Sequence, residues 1–210
     1  RTDLVPSRDE FRRLARQATL IPVYKELIAD LDTPVSALLK LGESPYRYLL
    51  ESVEGGDRLG RYSFAGNTAS LVFRSRGRTV EIGRPDGAGG FTFTARTVAD
   101  PLETLREILS GFTPAPVPGL PRFYGGAVGY LSYDMIRYFE RIPDENPDDL
   151  GVPESYFIVS DTVLIFDHAQ RKLKIVANAI VDGAGADAAY DRAAAQIDEA
   201  YRRLGGVSRA

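Results

Sequence analysis

The stretch YRYLLESVEGGDRLGRYSFAG, Tyr46 to Gly66, reads as strand, glycine-broken turn, strand. Tyr46 to Ser52 is apolar and aromatic with a polar end. Gly55, Gly56, Asp57 and Gly60 supply the turn, and Arg61 to Phe64 begin the return strand. Such a hairpin brings Glu51, Ser52, Arg61 and Ser63 to one end of a sheet. Two readings of that cluster stay open. It is a polar cup for a zwitterion, with Arg61 or backbone N–H groups taking a carboxylate and Glu51, Ser52 and strand-end carbonyls taking an ammonium. Alternatively, it is a strand-end salt bridge.

Outward from this hairpin, the chain alternates hairpins with helix signals. On the amino-terminal side, Ser7 and Glu10 have capping-box spacing and open a helix over 7–18. Leu20 to Tyr24 is a short extended run, and its Pro22 predicts an edge or entry strand. Thr33-Pro34 opens a helix through Leu41, with Gly42 past its end. On the other side, Leu71, Phe73, Val80 and Ile82 alternate with polar residues around Arg76-Gly77, a second hairpin. Gly83 to Gly90 reads as a mobile loop, and Phe91 and Phe93 start a further strand. Asp100-Pro101-Leu102-Glu103 is a helix start, and that helix runs to about Ser110.

Thr113 to Pro121 carries four prolines and reads as a stiff extended connector. Phe123 to Tyr133 holds three glycines inside an apolar strand pattern, which predicts close approach of another backbone or a ligand. Asp134 to Glu140 reads as a short helix and Arg141 to Gly151 as a surface loop. Ser155 to Phe166 and Leu173 to Ile180 read as one long hairpin joined through Asp167 to Lys172. Ala189, Ala193, Ile197, Ala200 and Leu204 form one stripe of a last helix over 186–204. The expected class is α+β: mainly antiparallel sheets with interspersed helices.

Composition excludes more than it assigns. A chain of 210 residues, 44% hydrophobic and 26% charged, can bury a sizeable core. A net charge of −3 gives no general attraction to nucleic acid or to an anionic membrane. No run reaches the roughly eighteen apolar residues that span a bilayer. With no cysteine and one histidine, a zinc site or a Cys/His nucleophile is excluded, and the lack of disulfides fits the cytoplasm. His168 reads as a solvated turn residue. GGAVGY, Gly125 to Tyr130, lacks the Lys-Ser/Thr and the long helix of a phosphate loop. The acids at 144, 145, 148 and 149 lack calcium-loop spacing. The chain opens on Arg1 and ends six residues past a helix, and the expectation is a piece of a longer protein.

Five segments occur in an order that resembles the anthranilate synthase component I family. They are LIPVYKELIADLDTPVSALLKL (20–41), YLLESVEGGDRLGRYSFAG (48–66), FYGGAVGYLSYDMIRYFE (123–140), DDLGVPESYFIVSDTVLIFDH (148–168) and LKIVANA (173–179). The resemblance is to that family's amino-terminal region. Aminodeoxychorismate synthase component I shares the GGxVGYLSYD-like segment, while LLES followed by GRYSF favours the anthranilate enzyme.

The resemblance implies several things. The whole chain, 1–210, would be an amino-terminal regulatory domain, with a possible internal connector at 113–121. It would form part of a layered α/β body completed by a carboxy-terminal catalytic half. The full enzyme would convert chorismate and ammonia to anthranilate and pyruvate with Mg2+ bound in that other half, and a glutamine amidotransferase subunit would supply the ammonia. L-Tryptophan would be the feedback inhibitor, with Ser52, Glu51 and Arg61 contributing to its site and Arg58 competing with Arg61 for the basic role. No catalytic residue or metal ligand is expected in this chain, and a free-standing binding domain is the non-enzymatic alternative.

Overall fold

The structure is a computed structural model and describes residues 3–29, 32–51, 60–143, 145 and 147–205. These divide into two compact units. The first comprises residues 1–68, 112–126 and 160–210, and the second 69–111 and 127–159.

The first unit is built on a five-stranded antiparallel sheet. Its strands are β1 (Leu20–Ile28), β2 (Tyr48–Glu51), β3 (Tyr62–Gly66), β9 (Thr162–Asp167) and β10 (Lys172–Ile180), in the spatial order β1-β10-β9-β3-β2. β1 lies on an edge, as Pro22 predicts, because proline has no N–H to give a second neighbour. Among the described residues, three helices belong to this unit. In α1 (Arg8–Leu14) the Ser7 side chain accepts from the Glu10 N–H, and the helix ends four residues short of the expected limit. α2 (Pro34–Leu41) is bounded as the sequence predicts, with a reciprocal Thr33/Ser36 capping box and Gly42 at φ 92°. The long α4 (Gly185–Arg203) buries the stripe Ala189, Ala193, Ile197 and Ala200.

Both faces of this sheet are covered. On one, α1, α2 and α4 pack over Ile21, Val23, Leu164, Phe166, Ile175 and Ala177. On the other, Tyr24, Val163, Ile165 and Val176 lie under Val117, Leu120 and Phe123. The proline-bearing segment is therefore extended but docked. Pro114 bridges Leu20, Ala115 N–H donates to the Leu20 carbonyl, and Tyr24 Oη donates to the Pro118 carbonyl at 3.2 Å.

The second unit is also a five-stranded sheet, β6-β5-β4-β8-β7. Its strands are β4 (Leu71–Arg76), β5 (Thr79–Pro85), β6 (Phe91–Thr97), β7 (Gly126–Leu131) and β8 (Ser155–Ser160). β5 extends into the expected glycine loop, and the β4–β5 turn falls at residues 77 and 78, one residue later than expected. α3 (Pro101–Ser110), capped by Asp100 onto the Leu102 N–H, sets Leu105, Ile108 and Leu109 against Leu71, Phe73, Val80 and Val159. Asp134 to Glu140, read as a short helix, is a 3-10 helix over Tyr133–Tyr138. Gly129 makes the close approach that the glycine-rich strand predicts: a Cβ there would lie 1.9 Å from the Tyr156 carbonyl oxygen.

One expectation is corrected. Ser155 to Phe166 is not one strand: β8 belongs to the second sheet and β9 to the first. The break falls at Asp161, whose carboxylate accepts from Thr68 Oγ1 at 2.5 Å and from Gln196 Nε2 at 3.3 Å. The backbone changes partner across it: the Val159 carbonyl accepts from the Ser70 N–H at 2.9 Å and the Asp161 carbonyl from the Asn178 N–H at 2.7 Å.

Candidate functional site

Register decides what the opening hairpin assembles. β2 and β3 pair Glu51 with Ser63, and β3 and β9 pair Ser63 with Phe166 and Tyr62 with Asp167. Directly paired residues share a face and successive residues alternate. Glu51, Ser63 and Phe166 therefore lie on the helix-covered face, while Tyr62 and Asp167 lie on the other.

Arg61 reaches Asp167. Its Nε–H donates to Oδ1 at 3.1 Å and its Nη2–H to Oδ2 at 2.7 Å, a two-point pair. The Asp167 side chain is 6% exposed and that of Arg61 38%. The guanidinium carbon also sits 4.9 Å from the centre of the Tyr62 ring. Burial pushes the Asp167 carboxyl up. Hydrogen bonds from Arg61 and from the Gln170 and Ala169 N–H groups, with the arginine charge, outweigh that and hold it below the usual carboxylate range. The strand-end salt bridge is thus present, but its acid is the last residue of β9. Among the described residues Glu51 makes no ion pair with Arg61; it is exposed at the end of β2. Ser52 and Arg58 lie outside the described residues.

His168 is exposed in the β9–β10 turn, and its Nε2 shares a 2.7 Å hydrogen bond with the buried Ser63 Oγ. Its backbone N–H donates to the Arg61 carbonyl at 2.9 Å. Asp167 at the end of β9 and His168 just after it therefore hold residues 61–63: Arg61 through both, Tyr62 through its pairing with Asp167, and Ser63 through His168. A cleft of about 350 Å³ opens beside the turn, lined by Asp32, Thr33, Phe166, His168, Arg171 and Lys172. Lys172 is committed to Glu26, so the cleft presents no free cluster of cations.

Sequence reading named Glu51, Ser52, Arg61 and Ser63 and did not name Asp167, the residue that Arg61 meets. The only signal was an acid at the start of a turn, facing an arginine 106 positions earlier. Among the described residues no group of three or more His, Cys, Asp or Glu side chains converges to hold a metal ion. These residues do not fit a magnesium site, and no step is derived through one.

No protein-family model matches the chain. Anthranilate synthase component 1 of Acetivibrio thermocellus is 38% identical over 199 residues, which is 95% of this chain and 39% of that protein. The proteins of the same name from Pseudomonas aeruginosa and Aquifex aeolicus are 40% and 36% identical, over 94% of this chain and 39% of each of theirs. The crystal structure of anthranilate synthase component I from Streptococcus pneumoniae shares the fold, with a TM-score of 0.50 and 22% identity over 87% of this chain and 37% of that one. The chain spans about two fifths of the length of the curated relatives it matches. Over nearly its whole length, the chain is similar in sequence to part of anthranilate synthase component 1.

Proposed function

We propose that the chain is the amino-terminal, regulatory part of an anthranilate synthase component I. The full polypeptide would convert chorismate and ammonia to anthranilate and pyruvate, with the ammonia supplied by a glutamine amidotransferase partner. The observation that carries this reading is the identity of 36–40% to proteins of that name along 94–95% of the chain. The chemistry, with its Mg2+ site, belongs in this reading to polypeptide beyond these 210 residues.

The chain's own part is to help bind L-tryptophan through Glu51, Ser52 and Arg61. Two features support it. Arg61 is held rigidly at a strand end, and Glu51 is exposed on the neighbouring strand. If tryptophan favours a state with poor chorismate affinity, chorismate must weaken tryptophan binding by the same factor. Exposed apolar side chains in the second unit, Tyr133, Phe139 and Leu150, support a covering partner such as the carboxy-terminal half.

The test is anthranilate fluorescence from chorismate, ammonium and Mg2+, with and without tryptophan. The full polypeptide forms anthranilate and is inhibited by tryptophan, whereas the 210-residue chain alone forms none. A full polypeptide that makes aminodeoxychorismate instead, or that ignores tryptophan, refutes the reading.

A further inference from the structure

We infer that Asp167 is a positioning residue of the effector site: it takes the Nε–Nη2 edge of Arg61 and leaves the terminal Nη1–Nη2 edge of the guanidinium to the carboxylate of a bound amino acid. This rests on the tryptophan-site reading above and adds to it a residue from the end of β9.

The geometry divides the guanidinium into a used half and an open half. A guanidinium carries five N–H donors in a planar fork. Asp167 accepts from Nε–H and one Nη2–H. The other Nη2–H and both Nη1–H groups have no acceptor among the described residues. Two of these donors point along the terminal edge, which matches the two oxygens of a carboxylate. The side chain is accessible enough to be reached, at 38% exposure, while its anchor is buried at 6%.

The anchor is itself fixed. Asp167 Oδ1 also accepts from the Gln170 N–H at 3.1 Å, and the residue is paired in register with Tyr62, whose ring lies under the guanidinium. An arginine on its own would have to give up most of its rotamer freedom on meeting a ligand. Here that ordering is done in the folded chain, so less of the binding energy is spent on it. The pair carries no net charge. Recognition would therefore depend on the direction of the open N–H groups rather than on bulk attraction, and a ligand lacking the carboxylate would lose that contact.

Calorimetry on the full polypeptide, with L-tryptophan and with L-tryptophanamide, tests this. The wild type should prefer tryptophan. Asp167→Asn should weaken tryptophan binding about tenfold, the loss of one well-placed charged contact, while leaving the amide's affinity nearly unchanged. The exchanged pair Arg61→Asp with Asp167→Arg should recover the melting temperature but not the preference. Should Asp167→Asn melt below the assay temperature, Arg61→Lys, which keeps the charge and loses the fork, carries the same expectation. An unchanged preference in Asp167→Asn, or a preference restored together with stability in the exchanged pair, overturns the inference and leaves the tryptophan site standing. A wild type that binds neither compound overturns both.

Discussion

The two five-stranded sheets solve the burial problem differently. In the first, β10 is buried along seven consecutive residues, Leu173 to Ala179, because helices cover one face and the proline-bearing segment covers the other. In the second, β6 is exposed at six of seven residues, and the only apolar cluster among the described residues lies under α3. Hydrophobic stabilisation scales with the apolar area removed from water, at about 25 cal/mol per Å². The first sheet is therefore the stable scaffold. The candidate effector residues sit on it, at the end where Asp167 and His168 hold residues 61–63. A site that must hold an arginine in one orientation is better carried by strands buried on both faces than by an exposed edge strand such as β6.

The comparison is most severely tested by truncating one residue in each sheet. Ile175→Ala on β10 should cost about 2–5 kcal/mol by chemical denaturation, since its side chain is fully buried and the neighbours cannot close the cavity. Thr94→Ala on the exposed β6 should stay within about 0.5 kcal/mol. Equal losses at both positions would break the contrast.

Gly129→Ala probes a place where two backbones of the second sheet approach closely. A Cβ 1.9 Å from the Tyr156 carbonyl forces β7 and β8 apart, at about 1–3 kcal/mol. Amide hydrogen exchange should rise in β7 and β8 and leave β9 and β10 unaffected.

Asp167→Asn should cost about 1–2 kcal/mol at neutral pH, the lower part of the range for charged hydrogen bonds, because water can replace the partner of a half-exposed arginine. The folded carboxyl lies below its unfolded value of about 3.9, so its contribution is complete above that pH and is lost as pH falls through the folded value. Below about pH 4 the wild type should lose melting temperature more steeply than Asp167→Asn, and parallel curves would remove the pair from the account of stability. His168→Ala should cost about 1 kcal/mol for the hydrogen bond to Ser63, with His168→Gln recovering part of it.

Much of the local structure was legible in the chain. Thr33, Pro34 and Gly42 mark α2 to the residue, since a cap, a ring that presets φ and a residue that accepts positive φ act within one helical turn. Asp100 marks α3 in the same way, and the Ala189–Leu204 stripe marks the buried face of α4. The division at Asp161 was hidden because β-branched residues continue on both sides of it, and only the change of backbone partner, from Ser70 at Val159 to Asn178 at Asp161, reveals it. The docking of the proline-bearing segment was hidden likewise, because its partners Leu20 and Tyr24 are about ninety positions away.

The candidate site divides along the same line. The sequence by itself placed Glu51 and Arg61 at the ends of two adjoining strands, because alternation and glycine turns are local properties. Only the tertiary structure decided which acid Arg61 meets. Charge attracts any nearby partner, and Asp167 is brought to Arg61 by the pairing of β3 with β9, which sets it opposite Tyr62, the residue next to Arg61.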